Sequence, residues 1–518
     1  MKKLCAKLLQ IKDLNRILSE SQAPEHRLKR VLSAFDLVIF GVGVIIGAGI
    51  FATVGTAAAG DAARPGAGPA LILSFGLTAV ACAFAALCYA ELASLVPISG
   101  SAYTYSYATF GEFVAWIIGW DLMLEYGVGS IAVSLSWSGY FQGFLRGLGI
   151  QFPDWATVDY RSAMQGVEKA SALIKSGTPL EQLSPGLVHA LHAVQGAPHL
   201  FGLPIICNLP ASLIVLVLTV ILVVGIKESA RFNLIIVAIK LAVLGLFIFI
   251  GMGHVKPENW VPFAPNGFAG IKAAAAIAFF AYIGFDVVST AAEETKNPKR
   301  DVPIGIIGSL LIATIIYMCV AAVFTGLIPF PALKAAMASE KAEPLAFALR
   351  YANIGWAAGI IAFGAIAAQL AVLLVLQMGQ SRIFFSMARD GLLPSVFAKV
   401  HPKFRTPYVT TILVGVIVAM IAAFTNIDEM VDLTNIGTLF AFALVCLGVI
   451  ILRVKEPGRH RTFSVPFSPV TPLIGAAACI FLMTALPMVT WIRFWVWLGI
   501  GVVVYFSYGI RHSALRKK

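Results

Sequence analysis

Long apolar stretches separated by shorter polar segments dominate the chain and predict its elements. We identify twelve such stretches, each long enough for the roughly 20 residues that a helix needs to cross a bilayer. They lie near 35–59, 69–96, 112–145, 204–226, 232–253, 268–293, 303–328, 354–386, 407–425, 430–453, 470–488 and 491–510. The pattern predicts an all-α polytopic membrane protein with twelve transmembrane helices.

Composition and charge agree with this class and add an orientation. Of the 518 residues, 59% are hydrophobic and 12% are charged, whereas soluble domains have about 25% charged residues. The formal net charge of +12 is spread over several loops, so we interpret it as topology and contact with anionic lipids, not as nucleic-acid binding. The distribution of lysines and arginines predicts that the leader, 1–34, and the tail, 511–518, are both cytoplasmic. We expect the protein in the plasma (inner) membrane.

Cysteine and histidine positions argue against metal, cofactor and disulfide chemistry. The seven cysteines form no CxxC pair, and the eight histidines lie in loops, in the termini or at the edges of apolar stretches. We also find no nucleophile with a nearby base inside the apolar stretches. We therefore expect no metal, no cofactor and no enzymatic activity.

The first apolar stretch is unusually rich in glycine. Its segment GVGVIIGAGIF (41–51) contains Gly41, Gly43, Gly47 and Gly49, and each glycine in a helix interior costs about 1 kcal/mol relative to alanine. One interpretation is close helix packing through the GxxxG of Gly43 and Gly47. The other is a helix interrupted inside the membrane, where free backbone N–H groups bind an anion.

A second interruption favours the second interpretation. The sixth stretch contains AFFAYIGFDVVSTAAEETKNP (278–298), with Gly284 and Asp286 inside it. The first and sixth stretches are corresponding members of two five-helix halves, and paired interruptions of this kind point to a transporter site at the midplane. We predict helix breaks at Gly47, Gly49 and Gly284.

A lysine lies in the middle of the fifth apolar stretch. Lys240 is at the centre of FNLIIVAIKLAVLGLFIFI (232–250), and a charged group at that depth costs several kcal/mol unless it is paired or neutral. It is either a structural lysine bonded to carbonyls in a packed bundle or a proton carrier. We favour the proton carrier, because ionisable residues inside membranes are usually functional.

Other polar groups in the membrane have two interpretations each. Asp121 and Glu125 share one face of the third helix; Glu125 either orients the pocket, attracts a basic side chain or pairs with Lys240, or has a structural hydrogen-bonding role. Asp286 is a candidate for the proton path or a cap of a half-helix. Gln369 either lines the side-chain pocket or bonds a neighbouring helix.

Five segments together resemble a known family. They are AFDLVIFGVGVIIGAGIF (34–51), CYAELASLVPISGSAYTYSYATFGEFVAWIIGWDLMLEYGV (88–128), GIKESARFN (225–233), the 278–298 segment and SRIFFSMARDGLLP (381–394). With these motifs the chain resembles the amino acid–polyamine–organocation (APC) permeases and is similar to bacterial relatives of the cationic amino acid transporters. The long loop 146–203 departs from the compact members.

The resemblance implies a LeuT-like fold and α-amino acid transport by alternating access. Two inverted five-helix repeats, 35–253 and 268–453, would contain the broken helices one and six, with helices eleven and twelve (470–510) outside them. Free N–H groups around Ala48 and Gly49 would bind the substrate carboxylate. The substrate ammonium group would bind backbone carbonyls of Ile45, Phe280, Ala281 and Ile283, and the Phe280 ring would close over the substrate.

The resemblance also bears on coupling and partners. In similar proton-driven members a lysine replaces the sodium ion that bridges helices one and eight, so Lys240, with Glu125 and Asp286, implies proton coupling and no sodium. We expect a small neutral L-amino acid such as alanine as substrate; a cationic amino acid transporter or an exchanger is the alternative. Since the loop after helix three contains no cysteine and Cys207 is at the start of helix four, we expect no obligatory disulfide-linked heavy chain.

Overall fold

The computed structural model describes most of the chain. It covers residues 30–96, 101–150, 152–180, 185–225, 230–337 and 343–516, together with the single positions 11 and 183. The predicted leader, 1–34, therefore lies largely outside the described residues, and the predicted tail, 511–518, is described up to residue 516.

Almost all described elements are helices, numbered here by the apolar stretch that each one contains. Helix one has the parts Ala34–Ile45, Gly49–Thr53 and Val54–Ala59, and helices two to five are Leu71–Leu95, Glu112–Gly147, Leu209–Val224 and Ala230–Met252. Helix six has the parts Gly267–Ala278, Phe279–Tyr282 and Asp286–Glu294, and helices seven to ten are Pro298–Leu327, Gly355–Arg389, Tyr408–Phe424 and Ile427–Lys455. Helices eleven and twelve are Val470–Met483 and Met488–Val504, and helix twelve continues as Tyr505–Gly509 and Ile510–His512.

Shorter helices connect these elements. They are Gly68–Ala70, Ser101–Thr109, Asp154–Ala156, Tyr160–Lys175, Pro185–Gln195, Pro257–Trp260, Phe330–Met337, Pro344–Tyr351 and Ser395–Ala398. We call the face that carries loop 146–203 the loop face, and the opposite face, with residues 30–33 and 513–516, the terminal face.

The lengths and composition of the helices suit a membrane protein. Among the described residues, eight helices are long and apolar enough to cross a membrane, and three apolar helices are shorter, namely Leu209–Val224, Tyr408–Phe424 and Val470–Met483. Helix three belongs to neither group; it has 36 residues and contains the acids Asp121 and Glu125. An all-helical membrane architecture is confirmed, while twelve crossings stay a prediction.

One small correction concerns the all-α prediction. Loop 146–203 contains a two-stranded antiparallel hairpin, in which His199–Leu200 pairs with Leu203–Pro204. The two turn residues, Phe201 and Gly202, have φ angles of +51° and +81°, the conformation that a two-residue hairpin turn requires. Alternating polarity over two residues is too short a signal to predict such a strand.

Helices of the first half pack against the helices at corresponding positions of the second half. Helix two packs against helix seven, helix three against helix eight and helix four against helix nine, and the interrupted parts of helices one and six contact each other. The predicted inverted repeat would account for this pairing, but it stays a prediction. Helices one and six are the central ones, because 83% of the apolar window of each is buried, against 28% for helix twelve.

Candidate functional site

Helix one is interrupted around its glycines. Its first part begins at a capping box, in which the Ser33 and Asp36 side chains satisfy each other's backbone N–H groups. It ends at Ile45, Ile46 adopts φ −75° and ψ +90°, and a π-helical turn begins at Gly49. A Cβ atom on Gly49 would overlap the backbone of Ala281 in helix six, so the close contact between the two helices requires a glycine there.

Helix six is interrupted directly beside it. After a 3₁₀ turn, Phe279–Tyr282, the chain becomes extended at Ile283 with ψ +133°, and Gly284 follows with φ +119°. Residues with a side chain rarely adopt that φ. A Cβ on Gly284 would also lie 2.7 Å from Val44 Cγ1 of helix one. Both interruptions therefore depend on glycine, and they face one another.

A cavity of about 30 Å³ lies between the two interruptions, with room for a few water molecules. It brings together most of the predicted site. Of the predicted residues, it is lined by Ile45, Gly47, Ala48, Gly49, Glu125, Phe280, Ile283 and Gly284. Ala281, Lys240, Asp286 and Gln369 do not line it. Ala281 instead packs behind the cavity, against Gly49.

The remaining wall contains residues that the sequence analysis missed. They are Tyr126, Gly129 and Val133 of helix three, Val372 and Leu376 of helix eight, Thr434 of helix ten, and Val44 and Val287 beside the interruptions. Gly129 and Val133 lie four and eight residues after Glu125, so they share its helix face. That spacing is a signal from which this wall could have been found.

Tyr317 of helix seven was also missed, and it bonds two of the predicted carbonyls. Its hydroxyl lies 2.8 Å from the Ile45 carbonyl oxygen and 2.9 Å from that of Ala281. A hydroxyl has one proton to donate, so it satisfies one of the two carbonyls at a time. Either bond fastens the end of one interrupted helix to helix seven.

Lys240 binds a second carbonyl near the end of the first part of helix one. The last carbonyls of a helix have no partner within the helix, and the Lys240 Nζ donates to the Gly43 carbonyl oxygen at 2.6 Å. Its side chain is buried, with 1% exposed. Because a cation is favourable at a helix C-terminus, the lysine acts as a charged cap on the first part of helix one. Among the described residues it forms no ion pair with Glu125.

Three acids are buried near the cavity. Asp121, Glu125 and Asp286 are each at most 3% exposed, and the Glu125 carboxyl interacts electrostatically with the other two. Among the described atoms, both Asp121 carboxyl oxygens and Asp286 Oδ1 have no hydrogen-bond partner. Such groups are costly to bury as anions. They are therefore suited to exchanging protons.

Both ends of the cavity are closed. Towards the loop face, Arg64 Nη1 lies 2.7 Å from Asp432 Oδ1, and both side chains are at most 7% exposed. Towards the terminal face, the rings of Tyr89, Phe285 and Phe442 pack together with centroids 4.9 to 5.9 Å apart. One closure is an ion pair and the other is aromatic.

Comparison with known proteins identifies this architecture. The profile of the amino acid permeases matches residues 32–506. The chain belongs to the amino acid permease family. This permease is 48% identical over 493 residues to the branched-chain amino acid permease BcaP of Bacillus subtilis (strain 168), which covers 95% of this chain and 96% of the relative.

Two further relatives have other names. The permease is 45% identical over 497 residues to the methylthioribose transporter of Bacillus subtilis (strain 168), covering 96% of this chain and 97% of the relative. It is 37% identical over 441 residues to the vacuolar cationic amino acid transporter 4 of Arabidopsis thaliana, covering 83% and 64%. The resemblance to APC permeases is thus confirmed, and the chain is a multi-pass membrane transporter rather than an enzyme.

No group of three or more His, Cys, Asp or Glu side chains in the described part of the permease could hold a metal ion. The cavity is lined by backbone groups of the two interruptions, by Glu125 and by mostly apolar side chains, and Lys240 contacts helix one outside it.

Proposed function

We propose that this permease takes up a neutral L-amino acid together with protons, by alternating access between the two interrupted helices. The loop face would be external, and both termini would lie in the cytoplasm, with the protein in the plasma membrane. The observation that carries the proposal is the cavity in which the Gly49 end of helix one faces the Phe280–Ile283 segment of helix six.

The two ends of an α-amino acid match the two kinds of backbone end around this cavity. The second part of helix one begins at Gly49, and the first N–H groups of a helix are unpaired and carry partial positive charge, which suits a carboxylate. Ile45 offers a carbonyl for the ammonium group, because its Tyr317 hydrogen bond is shared with Ala281. The cavity is smaller than an amino acid, so binding requires the helices to part, as alternating access provides.

The side-chain wall favours a neutral substrate. Val133, Val372 and Leu376 present apolar groups, and Gly129 leaves space between them. One relative is named for branched-chain amino acids, which agrees with such a wall. We therefore propose aliphatic amino acids, with small ones such as alanine included.

A cationic substrate is the second candidate. Glu125 lines the cavity and would attract the charged end of arginine or lysine, and one relative is named as a cationic amino acid transporter. An exchange mode of transport stays open with either substrate.

Lys240 is the proposed coupling group, with Glu125 and Asp286 on the proton path. A charge-assisted hydrogen bond is about twice as strong as a neutral one. Protonated Lys240 would therefore hold helix one at Gly43, and loss of the proton would release it. Its ammonium group supplies the positive charge that a sodium ion would supply, so no sodium is needed.

The permease would work without a disulfide-linked partner. Cys207, the cysteine closest to loop 146–203 in the sequence, is 7% exposed. Its thiol is therefore poorly placed to join a second chain.

The test is uptake of labelled substrate by proteoliposomes in sodium-free buffer, with and without an inward proton gradient. Alanine, leucine, lysine and methylthioribose are compared. Accumulation of alanine or leucine only with the gradient supports the proposal. Uptake of lysine alone favours the second candidate, uptake of methylthioribose alone rejects amino acid transport, and gradient-independent equilibration rejects proton coupling.

A further inference from the structure

A second cavity, of about 650 Å³, lies at the loop face. We call it the outer chamber. Its walls come from the far end of helix three, the beginning of helix eight and the connecting helix Pro344–Tyr351. Its roof is formed by the loop helices Tyr160–Lys175 and Pro185–Gln195. The long loop therefore builds a compartment.

The outer chamber leads, through a smaller space, to the cavity between the two interrupted helices. Ile427, at the start of helix ten, lines the outer chamber and also a small space of about 10 Å³ beside the Arg64–Asp432 ion pair. Thr53 of helix one lines that same space, one helical turn from Gly49. A solute leaving the outer chamber towards the cell interior therefore meets the ion pair first and then the cavity.

Two arginines and one glutamate meet in the chamber wall. Arg146 Nη2 lies 3.2 Å from Glu343 Oε1, and Arg350 Nη1 lies 3.2 Å from Glu343 Oε2. The arginine side chains are 61% and 42% exposed, whereas that of Glu343 is 7% exposed. Each carboxylate oxygen thus holds one guanidinium group at the chamber surface, and among the described residues of this wall two positive charges meet one negative charge.

The other charged groups of the chamber are engaged or peripheral. Asp159 caps the roof helix by accepting from the Ser162 N–H at 2.8 Å, and Lys169 is exposed. His189 lies 3.1 Å from Asp154. The arginine pair is therefore the part of the chamber wall that is suited to an anionic group of a solute.

We infer that the outer chamber is a first binding site for the substrate, in which Arg146 and Arg350 bind its carboxylate before the Arg64–Asp432 ion pair opens. The inference rests on the proposed function. A guanidinium group binds carboxylates through parallel hydrogen bonds, and Glu343 keeps both arginines in place while competing with the substrate for them. The excess positive charge also disfavours cationic amino acids, so the chamber acts as a filter for neutral ones.

The test is the concentration dependence of gradient-driven alanine uptake by full-length variants in proteoliposomes. For Arg146→Gln/Arg350→Gln we expect KM to rise about tenfold at unchanged kcat, because hydrogen bonds to a charged group are lost from binding alone. Arg146→Lys, which keeps the charge, should restore part of the affinity relative to Arg146→Gln. Lysine should inhibit alanine uptake more strongly in the double variant than in the unaltered protein.

A second variant separates binding from folding. Glu343→Gln removes the competing negative charge, while its amide oxygen can still accept a hydrogen bond from an arginine, so KM should fall by about twofold, a change opposite in sign to that of the arginine variants. Arg161→Gln is the matched control: this arginine belongs to the roof helix Tyr160–Lys175 but pairs with Glu429 at 2.7 Å, and the KM of this variant should equal that of the unaltered protein.

The outcomes distinguish the two proposals. Uptake by the unaltered protein with the same KM in the double variant overturns the chamber site and leaves the proposed function standing. So does a fall in kcat alone, or a rise in KM for Glu343→Gln that matches the arginine variants. If the unaltered protein shows no amino acid uptake, the proposed function fails and the chamber site fails with it.

Discussion

Helices one and six are interrupted side by side, yet different groups hold their loose carbonyls. On helix one, the Gly43 carbonyl accepts from the Lys240 ammonium group at 2.6 Å. On helix six, the Ala281 carbonyl accepts from the Tyr317 hydroxyl at 2.9 Å, and this hydroxyl also lies 2.8 Å from the Ile45 carbonyl oxygen of helix one. Both side chains come from neighbouring helices, five and seven, and both are buried.

The difference separates a bond that can respond to protons from a bond that cannot. A lysine cap can gain and lose a charge, whereas a tyrosine hydroxyl stays neutral under ordinary conditions. The Lys240 bond to Gly43 can therefore depend on protons, while the Tyr317 bond, shared between Ile45 and Ala281, stays constant. We expect changes at helix one to alter coupling and changes at the Tyr317 link to alter rate alone.

The largest effect is expected where the two interruptions touch. In Gly49→Val the new side chain would overlap Ala281, and overpacking of such a contact costs enough to reduce uptake about a hundredfold. The measurement is initial uptake of alanine by proteoliposomes, corrected for the amount of protein inserted.

Gly245→Ala is the control for this variant. Gly245 lies in helix five with nothing within 4 Å of an added Cβ, so transport should stay near that of the unaltered protein. Near-normal transport by Gly49→Val would show that the two helices do not need their close contact.

The next effect concerns the charged cap. In Lys240→Met the side chain keeps its length but cannot carry a proton, so gradient-driven accumulation should fall at least about tenfold. Burial of an ammonium group without an ionic partner is itself costly, which offsets the loss of its hydrogen bond to the Gly43 carbonyl, so the melting temperature should change little. A purely structural lysine would show the reverse, with a lower melting temperature and intact gradient dependence.

Lys272→Met is the matched control. Lys272 also belongs to an apolar helix, but its Nζ lies 4.7 Å from the centre of the Phe481 ring, away from both interruptions. Its removal should leave the gradient dependence unchanged. Equal loss of accumulation in both lysine variants would contradict a special role for the helix-one cap.

A smaller effect on uptake is expected when the Tyr317 hydroxyl is removed. Tyr317→Phe removes one hydroxyl, worth about 1 kcal/mol, so the uptake rate should fall about fivefold while the dependence on the proton gradient persists. Tyr282→Phe is the control, because its hydroxyl donates to the Phe75 carbonyl at 3.1 Å and touches neither interruption end. If Tyr317→Phe also lost its dependence on the proton gradient, the proposed difference between the Lys240 and Tyr317 bonds would be wrong.

Sequence patterns predicted the interruptions better than the groups that hold them. Gly47, Gly49 and Gly284 stand out because glycine is unfavourable inside apolar helices, so its repeated presence needs a reason. Tyr317 carries no such signal, since an aromatic residue in an apolar stretch is ordinary. Which carbonyl it meets depends on how helix seven packs against two interrupted helices.

The orientation of individual backbone groups also escaped prediction. Phe280 and Ile283 line the cavity. Ala281 lies between them in the sequence, but the 3₁₀ turn places it against Gly49 of helix one instead. The outer chamber was missed for a related reason. Its roof depends on contacts between distant residues, such as Arg161 with Glu429, which no local pattern specifies.

The smallest effect concerns helix three, which is uninterrupted and forms part of the cavity wall. A Cβ on Gly129 would lie 3.6 Å from Leu376 Cδ1 and 3.7 Å from Thr434 Cγ2, which is ordinary contact, so Gly129→Ala should fold normally. It would narrow the side-chain space by one methyl group, and a pocket distinguishes one such group by about tenfold. We expect kcat/KM for leucine to fall about tenfold while that for alanine changes by less than about twofold. Gradient dependence should persist, because neither cap is touched; an equal fall for both substrates would show that this wall does not hold the substrate side chain.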